Sequence, residues 1–142
     1  MKRVQDILDY KGRTVWSIGP DASVYDAMKL MADKEIGALL VMDGERLVGI
    51  ISERDYARKV ILQGRSSRTT RVEEIMTARV AYAEPTHNIE ECMALMTEKR
   101  IRHLPVLEAG RVAGVISIGD LVKSIIAEQK FIIEQLERYI TS

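Results

Sequence analysis

Two short phrases carry polar side chains at matched spacing, GIISERD at residues 49–55 and GVISIGD at residues 114–120. In each, a serine stands three places before an aspartate, Ser52 before Asp55 and Ser117 before Asp120. A hydroxyl followed at i+3 by a carboxylate, directly after an apolar strand, starts a helix. The serine oxygen accepts a free backbone N–H, and the acid suits the positive end of the first turn. Capping alone satisfies either copy, so the repetition of the phrase is what needs explaining.

Covalent or metal chemistry finds little footing around these phrases. The two histidines, His87 and His103, stand in no metal-ligand spacing with Cys92 or with a carboxylate, and no nucleophile neighbours either aspartate. Cys92 lies on an apolar helix face and reads as a small buried residue. No phosphate loop of the form GxxxxGK[ST] occurs. No catalytic residue and no metal site is expected, and the chain reads as a non-enzyme.

The bulk composition narrows the remaining classes. A chain of 142 residues that is 46% apolar can bury the core of one domain or of two small ones. Lys plus Arg and Asp plus Glu both total 21, so the net charge is zero and any anion site must be local. That balance argues against nucleic acid as a partner, and no long apolar run argues for a membrane. One cysteine cannot form an internal disulfide and no N-terminal signal is read, so a reducing, cytoplasmic setting is expected.

Stepping the chain by 65 residues aligns Val15–Ile61 with Val80–Ile126 without a gap, and fifteen of the forty-seven pairs are identical. A second stretch, VQDIL at Val4–Leu8, aligns with VEEIM at Val72–Met76 at an offset of 68, leaving three extra residues around Tyr10–Arg13. The chain is a tandem duplication. In each copy an apolar stripe at i, i+3, i+4 and i+7 predicts a helix: Val24, Ala27, Met28 and Met31, then Ile89, Cys92, Met93 and Met96. IGALLVMD with LVGIIS, and IRHLPVLE with VAGVIS, predict hairpins, after which Ser52 and Ser117 open a second helix. Each copy therefore reads strand, helix, strand, strand, helix, and the two are expected to pack face to face about a pseudo-twofold axis because neither buries its apolar surface alone.

This element order, the copy length and the repeated G-h-h-[S/T]-x-x-D phrase resemble the cystathionine-β-synthase (CBS) domain, present here as one tandem pair from Val4 to about Glu128. The resemblance implies an α/β (α+β) fold of small mixed β-sheets packed against helices. The expected organisation is a first domain over 1–64, a linker over 65–71, a second domain over 72–128 and a helical extension over 129–142.

The resemblance also gives the repeated phrase a second meaning. In CBS pairs the matching aspartate holds a ribose, and a carboxylate offers two acceptors to the two donors of a 2′,3′-diol, so Asp55 and Asp120 are expected ribose ligands. Ser52 and Ser117, at helix N-termini, are placed to favour a phosphate. By resemblance, main-chain groups around Thr14, Val15 and Trp16, and around Arg79, Val80 and Ala81, would read the adenine edge, with Ile51 or Ile116 on its flat face. Trp16 could equally fill the core, the commoner fate of an aromatic in a strand, as could Tyr25 and Tyr56.

Differences between the copies predict unequal sites. Gly37 and Ala38 become Arg102 and His103, cations that in nucleotide-sensing CBS proteins often reach phosphates; the alternative is a solvated edge arginine and a packing histidine. Glu53 and Arg54 become Ile118 and Gly119. Arg54 opposes the helix dipole in a first turn, which a phosphate shared with Arg58 and Lys59 would offset, or else it pairs with Glu53 or Asp55. Gly119 would let a ligand approach the backbone closely.

Two segments lie outside the repeats. GRSSRTTR, Gly64–Arg71, has the composition of a solvated linker, and its arginines form the one surface that could meet a nucleic acid. After Asp120, the residues Val122, Ile125, Ile126, Ile132, Ile133, Leu136 and Tyr139 extend an apolar stripe through Lys130–Ile140, with charges opposite, which predicts a partner helix. Since CBS pairs generally dimerise through helices, the resemblance implies a homodimer. The function it implies is a regulatory module that binds AMP, ATP or an NAD-like nucleotide between the copies and changes affinity for a protein partner. The alternatives are a ligand-free interaction scaffold and a nucleic-acid binder.

Overall fold

A computed structural model describes residues 2–141, without the side chains of Ile140 and Thr141, so the ends of the expected first domain and of the C-terminal stripe lie outside the described residues. The elements follow in the order α1 (Val4–Lys11), β1 (Ser17–Ile18), α2 (Val24–Lys34), β2 (Ala38–Asp43), β3 (Arg46–Ser52), α3 (Glu53–Tyr56) running into a π-helical turn (Ala57–Ile61), α4 (Val72–Ile75), α5 (Ile89–Lys99), β4 (His103–Glu108), β5 (Arg111–Ser117) and α6 (Ile118–Thr141).

The duplication survives in detail. Ser23 and Asn88, 65 apart, both cap the long helix of their copy, accepting the N–H of Asp26 at 3.1 Å and of Glu91 at 2.8 Å. Glu35 and Arg100, again equivalent, both end that helix in the left-handed region at φ 54°. The apolar stripes face inward as expected, with Val24, Ala27 and Met31, and likewise Ile89, Cys92 and Met96, buried. Both hairpins carry the same bulge, between Val41 and Met42 and between Val106 and Leu107.

The compact units cut across the repeats. One unit is Thr14–Ala81; the other joins the residues up to Arg13 with those from Tyr82 onward. Each unit thus takes its short helix from the other copy of the repeat. In the Thr14–Ala81 unit, α4 follows the hairpin, and Ile50 of β3 exchanges both backbone hydrogen bonds with Thr77, at 3.0 and 2.9 Å. Here β1 pairs parallel with β2, and β2 antiparallel with β3. The core gathers Leu39, Val41, Ile51, Val60, Val72 and Ile75 around the α2 stripe.

In the other unit, α1 lies against β5 and α6, held by the N–H groups of Val4 and Gln5 on the carbonyls of His87 and Pro85 at 2.9 and 3.0 Å. Val4, Ile7 and Leu8 are buried there with Ala83, Leu104, Val106, Ile116 and Leu121.

The glycine of each repeated phrase makes room for the exchanged helix. A Cβ on Gly114 would stand 2.7 Å from Leu8 Cδ2, and one on Gly49 would stand 2.5 Å from Met76 Sδ and 3.0 Å from the Thr77 carbonyl. Leu8 and Met76 are themselves equivalent at the offset of 68.

Two expectations are corrected. The copies begin with helices, α1 and α4, rather than strands: Asp6 and Glu74 accept the N–H of Arg3 and Arg71, three residues earlier, and close a helix start without a Ser or Thr cap. The first strand shrinks to Ser17–Ile18 in one copy, downstream of Thr14–Trp16, and to a single bridge of Ala83 with Val106 in the other.

Gly64–Arg71 is exposed, as a linker should be, except at Ser67 and Thr70, but it is also docked on the fold. Its backbone accepts the N–H of Val24 and Tyr25, and Thr70 is buried with its hydroxyl on the Ser66 carbonyl at 2.7 Å.

Candidate functional site

Both aspartates sit at the mouth of a helix, and both turn back onto it. Asp55 Oδ2 accepts the backbone N–H of Ser52 at 3.0 Å and lies 3.1 Å from its hydroxyl, while the Asp55 N–H donates to Ser52 Oγ at 3.2 Å. Asp120 repeats this with Ser117, at 2.8 Å from the N–H and 3.2 Å to the hydroxyl. The capping role expected from the sequence is therefore present in both copies. It leaves each carboxylate largely but not wholly covered, with side chains 16% and 18% exposed.

A lysine joins each carboxylate, from a different place in the chain. In the Thr14–Ala81 unit, Lys59 comes from the same helical run, 3.3 Å from Asp55 Oδ1, and also donates to the Ile75 carbonyl at 2.8 Å. It lies on the π-helical turn with Arg58, a local unwinding that recurs at functional sites. In the other unit the partner is Lys11, at the end of α1. Its ammonium donates to Asp120 Oδ2 at 2.7 Å and to the Val115 carbonyl at 2.9 Å.

Lys11 was not among the expected site residues. Contacts spanning 104 and 109 residues leave no local pattern, and the only signal was the insertion around Tyr10–Arg13 that breaks the repeat. Burial, the largest influence on Asp120, pushes its pKa up, but the Lys11 ammonium and the Ser117 donors together outweigh it. The carboxyl is held below its ordinary value of 3.8 and stays ionised.

Arg102 and His103 stand beside this second motif. His103 pairs with Ser117 across the hairpin, and the Arg102 carbonyl accepts the Ile118 N–H at 2.8 Å. Arg102, His103, Ser117, Gly119, Asp120 and Lys11 thus belong to one unit, with the Lys11 ammonium on the carboxylate. The equivalent places in the first motif hold Ala38, paired with Ser52, and Gly37, whose carbonyl accepts the Glu53 N–H at 3.1 Å. That site's expected cations Arg54, Arg58 and Lys59 come instead from the helical run that the motif opens. A Cβ on Gly119 would meet only Ser117 Oγ, at 3.6 Å, so neither strain nor crowding within the protein requires glycine there.

The expected adenine residues fare unevenly. Ile51 and Ile116 are 0% exposed. Strand alternation turns them into the core, and they present no face to a base, which corrects that expectation. Thr14, Val15 and Trp16 precede β1, with the Trp16 carbonyl accepting the Leu40 N–H at 3.3 Å.

Trp16 is not core either: it is 39% exposed, and Lys34 Nζ sits 4.2 Å from its ring centroid. Tyr25 is also exposed, under Arg68 at 4.0 Å, whereas Tyr56 packs on the core. Arg79, Val80 and Ala81 belong to the unit of Ser52 and Asp55, not to that of Ser117 and Asp120, because the pairing of Thr77 with Ile50 carries this segment along.

The linker arginines are engaged locally. Arg65 pairs with Glu74 at 2.5 Å and Arg71 with Glu73 at 3.6 Å, while Arg68 covers Tyr25. This weakens the nucleic-acid reading. Cys92 is buried, and desolvation pushes its thiol up to about 11. Among the described residues no cluster of three or more His, Cys, Asp or Glu side chains could hold a metal, and no helix is long and apolar enough to cross a membrane.

The CBS domain profile matches residues 4–61 and again residues 72–127. The chain belongs to the CBS-domain family. A solved CBS-domain protein from Burkholderia ambifaria is 62% identical, with a TM-score of 0.88 over 90% of this chain and 96% of that one. The mitochondrial CBS domain-containing protein CBSX3 of Arabidopsis thaliana is 39% identical over 96% of this chain and 71% of its own length. The CBS pair of protein MJ0100, solved in complex with 5′-methylthioadenosine and S-adenosyl-L-methionine, is 26% identical with a TM-score of 0.80, covering 90% of this chain and 98% of that one. This chain is a tandem CBS pair.

Proposed function

We propose that this CBS pair binds an adenosine-containing nucleotide, AMP, ATP or NAD-like, at its Ser-x-x-Asp motifs, with Asp120 and Asp55 taking the ribose diol. In the second motif Arg102, His103 and Ser117 serve the phosphate, and in the first Ser52, Arg54, Arg58 and Lys59 do. The observation that carries this reading is the Asp120 carboxylate at a helix mouth with Arg102 and His103 at the start of the adjoining strand, since a diol acceptor beside basic side chains is what a nucleotide needs. The adenosine ligands of the MJ0100 pair support the ligand class. The protein acts in the cytoplasm without catalysing a reaction, as a homodimer through α6, and the nucleotide alters affinity for a protein partner by linkage. We take the two CBS domains to span 1–64 and 72–128, with 65–71 joining them and the remainder, from 129 onward, a C-terminal extension.

Thermal unfolding against AMP, ADP, ATP, NAD, NADH, S-adenosylmethionine and GTP tests this. A ligand that binds only the folded state must raise the midpoint, by an amount that grows with its concentration. A rise with adenosine-containing compounds is expected, and a flat response to all of them would contradict the reading. The rival is a ligand-free scaffold, favoured by the fact that both carboxylates already cap their own helices.

A further inference from the structure

The two motif lysines differ in what they are attached to. Lys59 lies four residues from Asp55 on one helical run, so moving its ammonium moves a single side chain. Lys11 ends a helix that reaches Asp120 from 109 residues away. Its second bond closes a strand edge. At the equivalent position in the other unit, the Ile50 carbonyl is satisfied by the Thr77 N–H; on β5 the Val115 carbonyl is satisfied by Lys11 Nζ instead.

Lone-pair geometry sets up a competition at Asp120. A carboxylate oxygen has room for two donors, and Oδ2 already has two, the Ser117 N–H and the Lys11 ammonium. A diol that spans the carboxylate needs a place on each oxygen. The Ser117 donor is backbone at a helix start and fixed, so the group that must yield is Lys11.

We infer that Lys11 is a ligand-displaced latch: a ribose diol taking Asp120 expels the Lys11 ammonium, freeing the last turn of α1 and uncovering the Val115 carbonyl on the β5 edge. This deepens the nucleotide reading above and rests on it. The first turns of α1 stay anchored through Val4, Gln5 and the buried Ile7 and Leu8. The last turn is different. Asp9, Tyr10 and Lys11 are exposed, Tyr10 at 94%, and the turn ends at Gly12 with φ 98°. Among the described residues, the polar ties of this turn beyond its own helical bonds are a surface pair of Asp9 with Arg13 at 3.0 Å and the two bonds of Lys11. The chain then runs from Lys11 into Thr14 in two residues, so the freed turn leads straight into the other unit's first segment.

Adenosine is the probe, because it offers the diol without a phosphate to attract Lys11. The experiment uses the full chain and two readouts. In the wild type, amide hydrogen exchange at Tyr10–Gly12 should speed up several-fold on saturation with adenosine while Val4–Leu8 is unchanged. In an Asp55→Ala background, Lys11→Met should bind adenosine about three- to ten-fold more tightly, the scale of a partly exposed ion pair. Adenosine binding that Asp120→Ala abolishes, with equal or weaker binding by Lys11→Met or with unaltered exchange at Tyr10–Gly12, would overturn the latch and leave the site standing. No adenosine binding to the wild type would overturn both. The exchange readout needs no variant, so it decides the matter even if Lys11→Met folds poorly.

Discussion

Leu8 of α1 covers Gly114 of β5 so closely that a side chain on residue 114 would force the Leu8 side chain to shift: its Cβ would lie 2.7 Å from Leu8 Cδ2 and 3.3 Å from Cδ1. The first position of the repeated phrase is therefore set by packing, and it is the position over which a helix from the other copy docks.

Alanine at these glycines should destabilise both units unequally. Gly49→Ala meets the Thr77 backbone carbonyl as well as Met76 and should cost about 2–3 kcal/mol, whereas Gly114→Ala meets only the Leu8 side chain and should cost about 1–2 kcal/mol. Urea unfolding measures both. Leu8→Ala combined with Gly114→Ala should be less destabilising than the sum of the two single changes, because the clash has been removed. Strict additivity would contradict the packing account.

Gly119→Ala separates ligand approach from fold. A Cβ there meets only Ser117 Oγ at 3.6 Å, so stability should hold or rise, by up to about 1 kcal/mol from helix propensity. If a nucleotide comes up against this backbone, the same change should weaken its binding several-fold. Calorimetric titration with AMP beside a urea melt reads both quantities, and unchanged affinity would remove Gly119 from the site.

Asp120 makes stability depend on pH with a definite sign. Its folded pKa lies below the ordinary 3.8, so the unfolded chain binds the proton more readily. The stabilisation is complete above about pH 5 and is lost as pH falls through 3.8 toward the lower folded value. Asp120→Asn should be less stable than wild type at pH 7, with the gap closing in acid. Lys11→Met should shrink this pH dependence, since Lys11 is the largest of the influences that lower the value. A gap constant down to pH 2.5 would contradict the pairing.

The C-terminal half of α6 needs a cover. Ile126, Phe131, Ile132, Ile133 and Leu136 are all at least half exposed on a continuous helix. A face this broad belongs in a helix–helix interface. Leu136→Glu should convert the expected dimer to a monomer in analytical ultracentrifugation while leaving the circular dichroism of the core intact. A wild-type monomer at micromolar concentration would count against the dimer.

How much could be read from the sequence depended on the range of the interaction. The stripes of α2 and α5, the hairpins and the Ser-x-x-Asp helix starts are short-range periodicities and caps, and all appear where the spacing puts them. The exchange of α1 and α4 between the copies is tertiary, carried by Leu8 on Gly114 and Met76 on Gly49, and nothing within a window of ten residues encodes it.

Lys11 likewise acts across 104 and 109 residues and leaves no local pattern. Resemblance puts Ile51 and Ile116 on a ligand, whereas strand alternation assigns them to the core. Trp16 went the other way. Its position just before a two-residue strand, with Lys34 over its ring, keeps it at the surface.

The central claim is that the motif aspartates bind a ribose as well as cap a helix. Titration calorimetry with AMP on wild type, Asp55→Ala, Asp120→Ala and the double variant tests it most directly, with urea melts as the control for capping. The account predicts that each single change removes the binding at its own motif at a stability cost of about 1 kcal/mol, and that the double variant binds nothing while remaining folded. A folded double variant that binds AMP as the wild type does would show that the carboxylates only cap their helices, and would contradict it.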